Sequence, residues 1–179
     1  MIIENTQLFG LLLIRPKVHS DSRGTFLESW RESTYKEMGL SFVQDNQSRS
    51  KRNVLRGLHY QKNIPQGQLI WLSEGEVYDV CVDIRKDSPT FGKWQSFILR
   101  ADNPYQVYMP SGFAHGFCVL SDWATIQYKC TAYYSATDDS GIVWNDLELA
   151  IHWPVVSPLI STKDQQLKSF KELVITNEL

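Results

Sequence analysis

The stretch Asn53-Val54-Leu55-Arg56-Gly57-Leu58-His59-Tyr60-Gln61 predicts a β-strand that carries chemical groups. Val, Leu and Tyr favour the pleated surface of a sheet, yet the segment also holds the cation of Arg56 and the imidazole of His59. Strict alternation along the strand would place these two side chains on opposite faces. A glycine within a strand often marks the close approach of a ligand or another backbone, so Gly57 is expected to leave room beside the imidazole. A surface strand with two polar residues is the simpler alternative.

Short apolar segments separated by turns continue on both sides of this strand, a pattern typical of an all-β sandwich or barrel. The other predicted strands are 11–15, 25–30, 42–47, 68–72, 77–84, 94–99, 106–109, 117–120 and 124–131. Segments 68–72 and 77–84 flank a four-residue turn and are expected to form a hairpin. In 77–84, one face carries Tyr78, Val80, Val82 and Ile84, and the other carries Asp79, Cys81 and Asp83. A jelly roll with a binding pocket in its mouth is the most economical arrangement.

Helices are predicted to be few. Residues 33–38 form a candidate short helix that ends at Gly39. Near the end of the chain, Ser161 to Asp164 has the form of a capping box, and the apolar residues that follow are spaced for one face of a single helix. Those apolar residues are Leu167, Phe170, Leu173 and Val174.

Composition limits the class of protein. The 179 residues suit a single domain, 1–179, and the formal net charge of -2 without a long basic run argues against a nucleic acid or a membrane surface as partner. No segment approaches the apolar length of a membrane span, and Met1 to Arg15 lacks a basic signal-peptide start. The three cysteines are distant from one another and odd in number, so we expect buried reduced thiols and a cytoplasmic protein.

A second polar constellation is Pro110-x-Gly112-Phe113-Ala114-His115-Gly116-Phe117. The spacing Pro-x-Gly-x-x-His resembles the second motif of the cupin barrels, whose first motif would here be His59-Tyr60-Gln61. Metal-binding cupins place two histidines and a carboxylate in that first motif, whereas this chain has one histidine. Two imidazoles alone make a poor ligand set for zinc or iron. We therefore expect a cupin-like jelly-roll β-barrel without a metal, and a metal-binding cupin is the alternative.

Several blocks together resemble the dTDP-4-dehydrorhamnose 3,5-epimerase family. They run in the family's order over nearly the whole chain: Gln44-Asp45-Asn46, Arg56-Gly57-Leu58-His59-Tyr60-Gln61, Gly75-Glu76-Val77-Tyr78-Asp79-Val80, Ser88-Pro89-Thr90-Phe91-Gly92, the His115 block, Trp144-Asn145-Asp146 and Ser161-x-Lys163-Asp164. The resemblance implies an enzyme of dTDP-rhamnose biosynthesis that inverts C3 and C5 of a dTDP-linked 4-keto-6-deoxyhexose. Both carbons flank the C4 ketone, so each can lose a proton to give an enolate. Such chemistry needs a base, an acid on the other face and a group that stabilises the enolate oxygen, but no cofactor.

The resemblance also assigns roles to residues. It implies that His59 is the base, that Asp164 orients and stabilises its imidazole, and that Tyr128 is the acid. Taken singly, these would be a satisfied core histidine, a helix-capping carboxylate and a packing tyrosine. The implied substrate-binding residues are Arg23, Arg56 and Lys163 for the diphosphate, Glu28, Gln44, Asp45 and Asn46 for nucleotide and sugar, Tyr134 for stacking on thymine, and Asp139 and His115. Each of these is otherwise a solvated polar residue.

One position departs from the family pattern. The family has Gln-Gly-Lys-Leu where this chain has Gln66-Gly67-Gln68-Leu69, so Gln68 replaces a lysine that can stabilise the enolate. Three interpretations follow: a slower enzyme, compensation by a nearby lysine such as Lys62, or a different substrate or outcome. A mono-epimerase, a sugar ketoisomerase and a non-catalytic sugar-nucleotide-binding barrel are therefore alternatives.

The resemblance further implies a homodimer in which the first strands add to the partner's sheet. Ile2-Ile3 and 11–14 are apolar segments suited to the edge of a sheet.

Overall fold

The computed structural model describes residues 1–179 as two antiparallel sheets that face each other. A six-stranded sheet has the order β1-β2-β10-β7-β12-β5, and a five-stranded sheet has the order β13-β6-β11-β8-β9. The sheets do not close into a barrel, so the predicted all-β, cupin-like jelly roll is confirmed in an open form. The strands are β1 (Ile2–Asn5), β2 (Leu12–Arg15), β3 (Val18–Asp21), β4 (Gly24–Leu27), β5 (Gln44–Lys51), β6 (Leu55–Gln61), β7 (Gln68–Glu74), β8 (Glu76–Asp83), β9 (Trp94–Arg100), β10 (Gln106–Met109), β11 (Phe113–Val119), β12 (Trp123–Cys130) and β13 (Asp139–Gly141). The helices are α1 (Glu32–Glu37), α2 (Thr162–Gln165) and α3 (Phe170–Ile175), and none is long and apolar enough to cross a membrane.

The main hydrophobic core lies between the two sheets. It contains Ile70 and Ile126 from the six-stranded sheet and Cys81 and Phe117 from the five-stranded sheet. A second cluster covers the outer face of the five-stranded sheet. There Val80, Val82 and Ile84 pack under the C-terminal segment, and Tyr78 packs against the same cluster. The predicted division of β8 into two faces is therefore confirmed.

The predicted hairpin of β7 and β8 is wrong. β7 pairs with β10 and β12, whereas β8 pairs with β9 and β11, so the chain crosses from one sheet to the other at Gly75. Gly75 has φ +79°, and a Cβ at this position would lie 2.1 Å from the carbonyl oxygen of Trp123. The turn residues specified that the chain changes direction, but they did not specify which strand each segment would pair with.

Strict alternation along β6 is also wrong. His59 is paired with His115 and Arg56 with Phe117, so β6 has one more residue than β11 between these pairs. The extra residue is a β-bulge, which shifts the alternation and lets Arg56 and His59 line the same cavity. The Gly57–Leu58 peptide bond is cis at this point. A Cβ on Gly57 would lie 2.4 Å from the carbonyl oxygen of His115, so the close approach that the glycine permits is by another backbone.

The predicted C-terminal helix is two short helices. Ser161 caps α2 by accepting a hydrogen bond from the Asp164 amide at 3.0 Å, but the Asp164 carboxylate does not complete a capping box. That carboxylate contacts His59 instead. A full capping box begins α3, where Ser169 and Glu172 exchange hydrogen bonds.

An arm formed by β3 and β4 stands apart from both sheets. Its two strands pair only with each other, and nearly all of their residues are exposed. Phe26 is 70% exposed, although it is a large apolar side chain. This exposure makes the arm a natural contact region for another molecule.

Candidate active site

A cavity of about 370 Å³ opens between the two sheets. β6 and β11 of the five-stranded sheet contribute Arg56, His59 and His115, and the six-stranded sheet contributes Gln68 and Tyr128. The other lining residues are Gln44, Asn46, Ser48, Tyr60, Gln61, Gln66, Met109, Phe113, Phe117, Ile126, Tyr134 and Asp139. The lining thus combines polar and apolar side chains, as in many small-molecule sites.

His59 and Asp164 form a hydrogen-bonded pair at one wall of this cavity. His59 Nε2 lies 2.8 Å from Asp164 Oδ1, and the Gly57 amide donates to Asp164 Oδ2 at 3.3 Å. Asp164 is buried at the start of α2, while 38% of the His59 side chain is exposed. Burial acts to raise the pKa of Asp164, but the hydrogen bonds from His59 and Gly57 outweigh it and hold the pKa below its usual value. An ionised Asp164 therefore orients the imidazole.

Tyr128 lies on the opposite sheet from His59. It sits on β12 between Ile70 of β7 and Asn46 of β5, and its ring lines the cavity. Burial raises the pKa of the Tyr128 hydroxyl, and the nearby charge of Arg56 opposes that rise. The hydroxyl therefore keeps its proton at neutral pH. An imidazole held by an ionised carboxylate and a protonated phenol thus belong to facing sheets, an arrangement suited to proton removal and return on opposite sides of a ligand.

A second pair joins His115, which lines the same cavity, to Asp79, which does not. His115 is the cross-strand neighbour of His59, and its Nε2 atom lies 2.7 Å from Asp79 Oδ2. The Asp79 side chain is fully buried, and 14% of the His115 side chain is exposed. The resemblance placed His115 at the substrate but gave no role to Asp79. The available signal was the position of Asp79 on the polar face of β8.

The mouth of the cavity carries Tyr134, Asp139 and Lys163. The Tyr134 hydroxyl donates to Asp139 Oδ2 at 2.8 Å, and the Lys163 ammonium pairs with the same carboxylate oxygen. The hydrogen bond to Asp139 raises the pKa of Tyr134. Tyr134 is 52% exposed and lines the cavity, so its side chain is accessible to a ligand.

Alternation along β5 separates the residues of the Gln44-Asp45-Asn46 block. Gln44 and Asn46 line the cavity and are hydrogen-bonded to each other at 3.0 Å. Asp45 points to the other face of the sheet, where its carboxylate pairs with Lys129 at 2.7 Å. The prediction that Asp45 binds substrate is therefore not supported by the position of its side chain. Ser48, two residues after Asn46, lines the cavity and was missed.

Arg23 and Glu28 do not line the cavity of this chain. Arg23 lies at the tip of the β3–β4 arm with 88% of its side chain exposed and pairs with Asp21. Glu28 follows the arm and pairs with Arg31.

Gln68 lines the cavity, as expected from its place in the motif. Lys62 does not compensate for the missing lysine, because it lies outside the lining and its Nζ atom pairs with Glu178 Oε2 at 2.8 Å. Arg56 is the only lysine or arginine among the lining residues. Its Nε atom donates to Ser50 Oγ at 3.1 Å.

No group of three or more histidine, cysteine, aspartate or glutamate side chains is arranged to hold a metal ion. All three cysteines are buried free thiols.

Comparisons with known proteins agree on one family. The family model described as dTDP-4-dehydrorhamnose 3,5-epimerase matches residues 5–172. A protein of that name from Escherichia coli K12 is 48% identical over 179 residues, which cover 97% of each chain. A solved 3,5-epimerase from Legionella pneumophila, in complex with dTDP-4-keto-L-rhamnose, has a TM-score of 0.91 at 48% identity and covers 95% of this chain and 93% of its own. A 3'-monoepimerase from Streptomyces bikiniensis, in complex with dTDP-quinovose, has a TM-score of 0.92 at 30% identity, with 97% and 90% covered.

Proposed function

The chain belongs to the dTDP-4-dehydrorhamnose 3,5-epimerase family, and from this premise we propose that it inverts C3 and C5 of dTDP-4-dehydro-6-deoxy-D-glucose to give dTDP-4-dehydro-L-rhamnose. One observation carries the proposal. The cavity holds an oriented histidine on one sheet and a protonated tyrosine on the facing sheet, as an epimerisation by proton exchange requires.

Each inversion is a proton transfer in two halves. His59 removes a proton from the carbon beside the C4 ketone, and the electrons of that C–H bond move to the ketone oxygen to give an enolate. Tyr128 then donates its proton to the opposite face of the same carbon. The enolate electrons form the new C–H bond, and the ketone is restored. Before the second centre reacts, His59 releases its proton to water and the Tyr128 phenolate takes a proton from water. Asp164 stabilises the charged imidazole during this cycle.

The polar residues of the cavity fit the parts of such a substrate. Arg56 is suited to a diphosphate, because a guanidinium forms paired hydrogen bonds to phosphate oxygens. Tyr134 at the mouth offers an exposed ring for the base. Gln44 and Asn46 are placed for nucleotide or sugar hydroxyls, and Lys163 and Asp139 border the entrance.

Epimerisation at only one carbon is the second candidate. The 3'-monoepimerase relative has the same fold, so the fold does not decide between one and two inversions. Gln68 favours this candidate, because it brings no charge to the place where the family has a lysine.

Deuterium uptake in heavy water tests both candidates. The protein is incubated with dTDP-4-keto-6-deoxyglucose and a chelator, and uptake at C3 and C5 is followed separately by nuclear magnetic resonance. Uptake and inversion at both carbons are expected. Uptake at one carbon alone would select the mono-epimerase. Binding without uptake would indicate another sugar nucleotide or a binding protein, and loss of activity with the chelator would overturn a metal-free mechanism.

A homodimer is also part of the proposal. The resemblance assigns substrate contacts to Arg23 and Glu28, yet both lie on or beside an exposed arm away from their own cavity. An arm that reaches the cavity of a partner subunit would reconcile these facts. The three buried free thiols fit a reducing compartment, so we place the enzyme in the cytoplasm.

A further inference from the structure

The proposed enolate requires positive charge or a strong hydrogen-bond donor near its oxygen. Gln68 offers an amide but no charge, and Lys62 is held outside the cavity by Glu178. Arg56 carries a permanent charge, but the proposed function uses it for the diphosphate. His115 is the remaining lining residue that can carry a positive charge and is not the base.

The position of His115 suits this role. It pairs with His59 across the β6–β11 ladder, so the two rings lie on the same face of the sheet. Its Nε2 atom faces the Asp79 carboxylate at 2.7 Å, which leaves Nδ1 as the ring nitrogen available to a ligand. On β8, Asp79 is the cross-strand neighbour of Phe117, which follows His115 by two residues on β11. The Asp79 carboxylate therefore contacts the His115 ring along the diagonal between the two strands.

The buried carboxylates that contact His59 and His115 have different surroundings. Asp164 accepts hydrogen bonds from both His59 and the Gly57 amide. Asp79 is fully buried and has His115 as its only ion-pair partner, with the weak thiol donor of Cys81 at 3.8 Å. A buried carboxylate without a hydrogen-bond donor is costly, so the contact with Asp79 holds the His115 ring in one orientation. Different surroundings thus separate the roles of two similar histidine–aspartate pairs.

We propose that Asp79 is a positioning residue that holds the His115 ring through Nε2, so that the Nδ1–H of His115 donates to the C4 enolate oxygen and supplies the stabilisation that the uncharged Gln68 does not. This inference rests on the proposed epimerase function. It makes His115 and position 68 alternative sources of the same stabilisation. Removing one source therefore matters less when the other is present.

A double-mutant cycle tests this dependence. Asp79→Asn keeps the shape of the side chain and removes its charge. Deuterium uptake, kcat and KM are measured for Asp79→Asn, Gln68→Lys and the double variant, and dTDP binding is measured by calorimetry. We expect Asp79→Asn to lower uptake and kcat on the order of 10²-fold in the unaltered background, but less than about 10-fold in the Gln68→Lys background. In both backgrounds Asp79→Asn should change the affinity for dTDP by less than about twofold, because the inferred hydrogen bond from His115 forms mainly with the enolate.

Matched controls separate the inferred role from packing. Asp164→Asn removes the other buried carboxylate, which supports the base, and should cost the same factor in both backgrounds. Cys81→Ala changes packing beside Asp79 without a change of charge and should leave uptake within about twofold. His115→Gln repeats the cycle without altering Asp79 and retains a donor for its carboxylate, so the test does not depend on the folding of Asp79→Asn.

The outcomes distinguish the two proposals. One outcome is that the unaltered protein takes up deuterium while Asp79→Asn or His115→Gln costs the same factor with Gln68 as with lysine at position 68. That result would overturn the inferred role of Asp79 and His115 and would leave the epimerase proposal standing. Absence of uptake by the unaltered protein would overturn the epimerase and this inference with it. A smaller loss in the Gln68→Lys background would support both.

Discussion

At the scale of single residues, His59 combines a partly exposed imidazole with a buried, ionised partner. We expect His59→Ala to lower deuterium uptake at both sugar carbons by 10²–10⁴-fold or more, because an essential base is removed. Affinity for dTDP should remain within a few-fold, since the diphosphate contacts belong to other residues. His152→Ala, which removes an exposed histidine outside the cavity, is the control. Full uptake by the His59 variant would assign the base to another group.

A variant of Tyr128 can separate inversion from deuterium uptake. Inversion needs an acid on the far face of the sugar, whereas uptake with retained configuration needs only the base, His59. We expect Tyr128→Phe to reduce inversion by at least about 10²-fold while deuterium uptake with retained configuration continues. Uptake and product configuration are read from the same magnetic resonance sample. Tyr105→Phe, outside the cavity lining, is the control. Parallel loss of uptake and inversion would remove the case for Tyr128 as the acid.

The sequence motifs predicted that His59, His115 and Tyr128 lie in one site, and all three line the cavity. The prediction failed at Asp45, where period-two alternation along β5 turns the side chain away from Gln44 and Asn46. It also gave no role to Asp79. The partner of a buried carboxylate depends on which strand lies beside it, and local sequence does not contain that information.

At the scale of elements, local patterns predicted most strands but not all of their pairings. β10 occupies the predicted residues, whereas the supposed β7–β8 hairpin divides between two sheets. The apolar spacing near the C-terminus suggested one helix. Ser169 begins a second helix instead, because its capping box with Glu172 satisfies free backbone groups there. The pairing of β7 and β8 with different strands is non-local, and local patterns do not specify it.

Gly57 provides a test of how β6 is held against β11. An added methyl group would lie 2.4 Å from the His115 carbonyl oxygen and 2.6 Å from the Gly116 Cα atom. Gly57 also has φ +108°. We expect Gly57→Ala to lower the free energy of unfolding by roughly 2–5 kcal/mol, from about 1–2 for backbone conformation and about 1–3 for the clash.

Urea unfolding measures this loss. Gly39→Ala is the matched control, because Gly39 has φ +76° with no atom within 4 Å of an added Cβ. The control should lose only about 1–2 kcal/mol. Equal losses would mean that β11 yields to the methyl group.

At the scale of the whole molecule, the proposed homodimer and the exposed arm together predict that each active site is shared between subunits. Arg23→Ala and His59→Ala should each lower activity when tested alone. After the two variants are unfolded together and refolded, about half of the dimers are mixed, and one of the two sites in each mixed dimer is intact. Activity should then return to roughly a quarter of the unaltered value. No recovery would show that Arg23 serves its own subunit or no site.

Acid stability follows from carboxyl groups in ion pairs. Hydrogen bonds from Lys168, Lys62 and Thr176 lower the pKa of Glu178 to about 2, and those from Arg49 and Thr125 lower the pKa of Glu74 to about 2. In the unfolded chain both glutamates have pKa values near 4.5. Between about pH 2 and pH 4.5 the unfolded chain therefore binds more protons than the folded chain. We expect the free energy of unfolding to be maintained above about pH 4.5 and to fall as the pH decreases toward about 2. Urea titrations at several pH values measure this slope, and Glu178→Gln should make it shallower.

The proposed base and the proposed acid lie on separate sheets, and this separation has an evolutionary consequence. With the roles proposed above, a mutation on β12 alters the return of the proton to carbon without a change on β6, which carries the proposed base. Lineages that share this scaffold are thus able to acquire a new stereochemical outcome in one step while inheriting their carbon-acid chemistry intact. A change of stereochemical outcome then requires no new catalytic site. It requires only that the cavity-facing residues of the two sheets change independently of each other.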